Sequence, residues 1–218
     1  MAVIRAMRRW LHRSEKIARR GRAFAFAVAL FAATAPAFAS GPQDAIRSFY
    51  ATLLTTMKEG PRLGESGRYA ALAPVVQQVF DVRFMTRLAV GPDWASLRPG
   101  QQQQVTTAFG RYIAATYADR FDRYSGEALR VGGEQAFAGG HIVRTQIVKP
   151  AGDPVTINYL MRENGGIWQI ADVYLDGTIS QLATQRSEFH SILRSKGVEG
   201  LIAALNRKID LLKRSADD

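Results

Sequence analysis

From Pro42 onward the apolar positions Ile46, Phe49, Tyr50, Leu53, Leu54 and Met57 recur at helical spacing, forming one stripe. Proline is a favoured first helical residue and Gly60-Pro61 reads as a stop, so the pattern predicts a helix from Pro42 to about Gly60. After a loop predicted through Gly64 and Gly67, Tyr69, Leu72, Val75, Val76, Val79 and Phe80 mark a second helix with a kink at Pro74. Val82, Met85, Leu88 and Ala89 give a short third helix before Gly91-Pro92. Pro99 opens a long fourth, whose stripe is Val105, Ala108, Phe109, Tyr112, Ile113, Thr116, Tyr117, Phe121 and Tyr124. Its side is unusually aromatic, which suits either an ordinary core or the wall of an apolar cavity.

The period then changes from helical to alternating. Ala128 to Val131, His141 to Val148, Pro154 to Arg162 and Ile167 to Leu175 are rich in Val, Ile, Thr and Tyr, and Gly-rich turns separate them. Four antiparallel strands follow from those signals. Val143, Thr145 and Ile147 alternate with Arg144 and Gln146, and Val155, Ile157 and Tyr159 share a side. In the fourth strand, strict alternation places Trp168, Ile170 and Asp172 on one face and Ala171, Val173 and Leu175 on the other, so that strand is expected to be central and covered. Gly177 ends it. Ile179, Leu182, Ala183, Arg186, Phe189 and Leu193 then begin a helix that stops near Gly197, and Leu201, Ile202, Leu205, Ile209 and Leu212 form the last. Helices, strands and helices in succession make the fold class α+β.

Ahead of all this lies a basic leader. Arg5, Arg8, Arg9, Arg13, Lys16, Arg19, Arg20 and Arg22 face a single acid, Glu15, and account for +7 of the formal net charge of +10. The apolar run AFAFAVALFAATAPAFA over 23–39 ends in Ala37-Phe38-Ala39 before Ser40, the layout of a cleaved secretory signal. The run is shorter than the ~20 residues a spanning helix needs, and Pro36 interrupts it. Residues 1–39 are therefore expected to be a signal peptide cut near Ala39, and 40–218 one exported domain with little net charge. Scattered basic residues of that kind are no nucleic-acid footprint.

Composition removes whole chemistries. With no cysteine there are no disulfides, thiolate metal sites or cysteine nucleophiles. His141 and His190 are far apart in sequence, with no carboxylate at ligand spacing, so neither a metal nor a cofactor is expected. Asp172 and Asp176 near the end of the fourth strand are the candidates for acid and base work, in an enzyme with a cone-like fold around a greasy cavity. Ser180 and His190 lack a nucleophile elbow, and Ser180 reads as a helix cap. Asp172 is read as a carboxylate that bonds backbone or pairs with Arg186.

Two blocks carry a family resemblance. The first is DVRFMTRLAVGPDW from Asp81, with Leu97-Arg98-Pro99-Gly100-Gln101, Phe109 and Thr116-Tyr117; the second is WQIADV from Trp168, with Asp176-Gly177-Thr178-Ile179-Ser180, Arg186 and Phe189. Together they resemble the MlaC-like family of periplasmic lipid carriers, which includes toluene-tolerance proteins. VYLDGTISQLATQRSEF is most similar to the branch associated with hopanoid biosynthesis, called HpnM. The resemblance implies a cleft between a curved sheet and its helices, an auxiliary role beside an inner-membrane ABC complex, an outer-membrane acceptor, and a lipid cargo, a hopanoid or related lipid or a phospholipid. It implies no catalysis. By position in that fold the cavity is lined by Met85, Leu88, Phe109, Ile113, Tyr117, Val143, Tyr159, Trp168, Ile170 and Val173, with Asp172 and Arg186 as a polar mouth. A monomer is expected, and a cargo-free adaptor to a membrane complex is the other non-enzymatic reading. Two positions depart from the pattern. Gln185 stands where the family's phospholipid carriers commonly have tyrosine, and Arg98 replaces a capping serine or threonine.

Overall fold

The computed structural model describes residues 41–214. Helix α1 runs over Pro42–Val79 and carries its stripe inward, with Ile46, Phe49, Leu53, Leu72 and Val76 fully buried. The expected stop at Gly60-Pro61 is corrected, since both residues lie inside α1; the break between two helical halves falls at Gly64, within the expected loop, where φ is 61° and ψ −175°. Gly60 has a different role. A Cβ placed on it would sit 2.0 Å from the Asp122 carbonyl oxygen, so the glycine marks close approach of another segment.

Helix α2 (Val82–Val90) is capped by Asp81, whose carboxylate accepts from the Phe84 N–H at 3.0 Å. A 3-10 turn (Gly91–Ser96) leads to α3 (Pro99–Arg120). Arg98 supplies no acceptor at the α3 N-cap, and Gln101 compensates by accepting from the Arg98 backbone N–H at 3.1 Å. At the far end, Arg68 of α1 donates through Nε to the Ala118 carbonyl at 2.9 Å, satisfying part of the last turn of α3.

Strands β1 (Ala128–Phe137), β2 (Gly140–Val148), β3 (Val155–Asn164), β4 (Ile167–Leu175) and β5 (Ile179–Ser180) form one open antiparallel sheet in chain order. β1 is longer than expected. Gly132-Gly133 is a bulge inside it, because Val131 pairs with Thr145 and Glu134 with Val143. A second bulge changes β4: Met161 pairs with Ile170 and Leu160 with Asp172, which leaves Ala171 as the extra residue. Ile170 and Val173 therefore share the inner face and Asp172 points to the other, which corrects the alternation expected for this strand. Nor is β4 central. It lies one place from the sheet's edge, where β5 covers one end and Phe80 bridges to Ile170 at the other.

Helix α4 (Gln181–Arg214) contains the break expected at Gly197, with φ 64° and ψ −171°. Helix α1 lies against β1, β2 and β4 on one side and α3 on the other, while α4 packs on α3 and α2. The domain is a sheet covered on its inner face by helices, the α+β arrangement expected. The proposed cleavage point near Ala39 lies outside the described residues.

Candidate functional site

Between α1, α3 and the inner face of the sheet stands a cluster of aromatic rings. The Phe49 ring meets Phe80 at 5.7 Å, Tyr117 at 5.3 Å and Tyr159 at 6.5 Å, in each case edge to face. Tyr117 also contacts Phe80 at 5.6 Å and stacks on Phe121 at 5.6 Å, and Tyr50 meets Tyr159 at 5.9 Å. Edge-to-face pairs of this kind add to the hydrophobic gain of burial. Helical spacing brings Phe49 and Tyr50 from α1 and Tyr117 from α3, while the pleat brings Tyr159 and its registered neighbours Val143 and Val173.

Four hydroxyls run through this apolar layer. Thr145 Oγ1 donates to the Ile157 carbonyl, lies 2.6 Å from the Tyr50 hydroxyl, and that hydroxyl lies 3.3 Å from Tyr159's. Tyr159 in turn is hydrogen-bonded to Tyr117. Each hydroxyl has one proton. A carbonyl only accepts, so the Thr145 proton goes to Ile157, while Tyr50 donates to Tyr159, which also meets Tyr117. The four hydroxyls form one buried network. Burial pushes the Tyr50 phenol up to about 12, against the opposing effect of its bonds to Thr145 and Tyr159. Burial raises Tyr117 and Tyr159 as well. All three are neutral near pH 7, and the Arg120 guanidinium is close enough to oppose part of the rise at Tyr117.

The layer is closed at one end and accessible at the other. Ile147, Ile157 and Leu175 are buried on the inner face, whereas His141 and Trp168, near the β1–β2 and β3–β4 turns, are half-buried and Glu134 is exposed. The His141 and Trp168 rings meet at 5.2 Å, and Glu134 reaches His141 Nδ1 at 3.6 Å.

Of the residues expected to line a cavity, Tyr117, Val143, Tyr159, Ile170 and Val173 come together here, and Trp168 stands at the accessible end. Ile113 is buried one turn before Tyr117, and Met85 is buried on α2. Phe109 points to α4, where it meets Phe189 at 5.2 Å, and Leu88 is 39% exposed. The expected polar mouth is dispersed. Asp172 Oδ1 accepts from the Val173 and Leu182 N–H groups at 2.7 and 3.0 Å, and Oδ2 from Ser180 Oγ at 2.6 Å. That carboxylate ties the start of α4 to β4; burial raises its pKa, opposed by the Ser180, Leu182 and Val173 bonds. Arg186 is exposed and lies beside Gly91. Ser180 caps α4 as expected, accepting from the Ala183 N–H at 2.9 Å.

Phe49, Tyr50, Phe80, Phe121 and Thr145 are the site residues that the sequence reading left out of its lining. Thr145 carried the one usable signal: a hydroxyl between Val143 and Ile147 on an inward face requires a buried partner.

An acid and a base are not poised in this layer, because the inward groups are phenols and Asp172 is engaged on the opposite face. The sequence model of the MlaC protein matches residues 47–207. The chain belongs to the MlaC family. MlaC proteins are periplasmic lipid-binding carriers, not enzymes. Among solved structures, the fold is similar to the phospholipid-binding protein from Ralstonia solanacearum, solved in complex with a phospholipid. The match has a TM-score of 0.67 at 24% identity and covers 78% of this chain and 98% of that one. At that identity the likeness is one of fold.

Proposed function

We propose that this MlaC protein is a periplasmic carrier of a hydroxyl-bearing lipid, a hopanoid or a related molecule, which it shuttles between the inner and outer membranes. It works as a monomer beside an inner-membrane ABC complex and an outer-membrane acceptor, after a leader ending near Ala39 has delivered it. The need for such a carrier is physical. Each methylene exposed to water costs about 0.8 kcal/mol, so a lipid of ~30 carbons leaves a membrane only when an apolar lining replaces the bilayer.

The observation that supports this choice of cargo is the buried network of neutral phenol and threonine hydroxyls among the aromatic rings. A lipid hydroxyl can both donate to and accept from groups of this kind. Gln185 in place of the tyrosine common in the family's phospholipid carriers agrees with a different headgroup.

The test is to purify the protein from the periplasm, extract it with organic solvent and identify what is released by mass spectrometry. A hydroxylated polycyclic or other hydroxylated lipid is expected at near-stoichiometric amount, and Tyr117→Phe should reduce it against total lipid. Recovery of phospholipid alone would overturn the cargo. An empty protein that also takes up no lipid from vesicles would overturn the carrier and leave the cargo-free adaptor.

A further inference from the structure

The carrier reading requires cargo to pass between a bilayer and the aromatic layer, and the surface around the accessible end of that layer has the chemistry for the contact. Antiparallel pairing brings the β1–β2 and β3–β4 turns to the same end of the sheet. Gly140 lies so close to β3 there that a Cβ on it would approach the Met161 carbonyl oxygen to 2.1 Å and Arg162 Cγ to 3.4 Å. Each turn presents a large apolar side chain to solvent: Phe137 is 52% exposed and Ile167 43%. Between them on the inner face are Trp168 and His141.

Helix α2 starts at this same end. The Asp81 N–H donates to the Ile170 carbonyl at 2.9 Å, and the Arg162 guanidinium sits 3.8 Å from the centre of the Phe84 ring. Arg87 lies over the same ring at 5.5 Å, and Leu88 is exposed beside it. Of the acids nearby, Asp81 pairs with Arg162 at 3.7 Å, and Glu134 and Glu163 are exposed. Arg83 and Arg87 are exposed and make no ion pair among the described residues.

Single exposed apolar residues are ordinary on any surface. Here two stand on adjacent turn tips around the open end of an apolar layer, with a tryptophan between them and three arginines alongside. Tryptophan favours the headgroup level of a bilayer, and arginine is drawn to its phosphates. We propose that this end of the molecule docks on a phospholipid bilayer, with Phe137 and Ile167 entering the interface beside Trp168 and with Arg83, Arg87 and Arg162 at the headgroups. The contact gives cargo a path from acyl layer to Tyr117 that never crosses water. This rests on the carrier reading for its purpose, but not for its test.

The test is flotation of the purified protein with vesicles of phosphatidylcholine containing about one third phosphatidylglycerol, an anionic surface of the kind that attracts juxtamembrane arginine. The paired variant Phe137→Ser with Ile167→Ser should bind roughly tenfold more weakly or worse, and Phe137→Trp with Ile167→Trp should bind more tightly. Leu211→Ser, an equally exposed apolar position on α4, should leave binding unchanged. Circular dichroism of each variant checks that it is folded. Docking is overturned if the wild type does not float, if the serine pair floats like the wild type, or if Leu211→Ser weakens binding as much; a partner protein would then be the occupant. Extracting lipid from the same variants separates the two ideas. Lipid-loaded protein whose flotation ignores the tips defeats the docking alone, and tip-dependent flotation of a lipid-free protein defeats the carrier alone.

Discussion

Glu188 and Lys208 of α4 form an ion pair at 2.5 Å although 20 residues separate them. A straight helix would hold them about 30 Å apart, so α4 doubles back on itself at Gly197. The hairpin depends on one left-handed residue, since Gly197 has φ 64° and a Cβ there would meet no atom within 4 Å. Replacing Gly197 with Ala should lower stability by about 1–2 kcal/mol through backbone conformation alone. In a domain of this size that is a fall in Tm of several degrees, readable by circular dichroism. An unchanged Tm would mean that the fold-back is not held by the glycine.

Gly60 should respond more severely, for a different reason. Its missing Cβ makes room for the Asp122 carbonyl, and Gly60→Ala would force α1 and the segment after α3 apart. A loss of about 2 kcal/mol or more is expected, the range of overpacked core sites. Comparing the urea midpoints of the Gly60 and Gly197 variants tells steric from conformational cost.

Removing one link of the hydroxyl chain strands its neighbours. Tyr50→Phe leaves Tyr159 without its donor and Thr145 without its hydroxyl neighbour, and should cost about 1–3 kcal/mol. The same chain sets an alkaline limit. Because folding raises the phenol pKa values, their contribution is whole below about 10 and is lost as pH rises through the folded-state values, near 12 for Tyr50. Tyrosinate absorbance should therefore rise in two stages, the second coinciding with loss of the circular dichroism signal. A single stage ending near pH 10 would contradict the buried network.

Asp172 has the opposite sign from a typical surface carboxylate. Burial raises its folded pKa above the unfolded value, so its contribution is complete below about pH 4 and declines as pH rises through the folded value. Asparagine does not titrate and keeps an oxygen for the Val173 and Leu182 N–H groups. The Tm of the wild type should therefore fall relative to Asp172→Asn from about pH 4 toward neutrality, with Asp172→Ala below both throughout. A gap between wild type and Asp172→Asn that does not vary with pH would refute the assignment.

Periodicity made most of the architecture legible. The apolar stripe from Ile46 to Met57 is the buried face of α1, and the inward set of β2 is Val143, Thr145 and Ile147. What escaped were departures from periodicity imposed by distant neighbours. Gly60-Pro61 has the composition of a stop, yet the helix runs on to its break at Gly64, and Gly60 serves instead the close approach of Asp122, a residue no local pattern can foresee. Ala171 carries no mark of a bulge, but its insertion moves Val173 to the face of Ile170 and sends Asp172 to the start of α4. The site suffered in the same way. Tyr117, Tyr159 and Val173 were legible as inward positions, whereas Phe109 sits on the flank of α3 that α4 happens to cover, and Leu88 on a face of α2 that is exposed among the described residues.

Among the described residues, the open sheet also leaves β1 with an unpaired edge, a ready template for another strand. The doubled glycine at 132 and 133 interrupts that edge midway, and beyond it the strand is fully exposed to solvent. A regular ladder cannot run the length of the strand. The same two residues that cost β1 its regularity thus blunt an edge that would otherwise offer a second strand a continuous template.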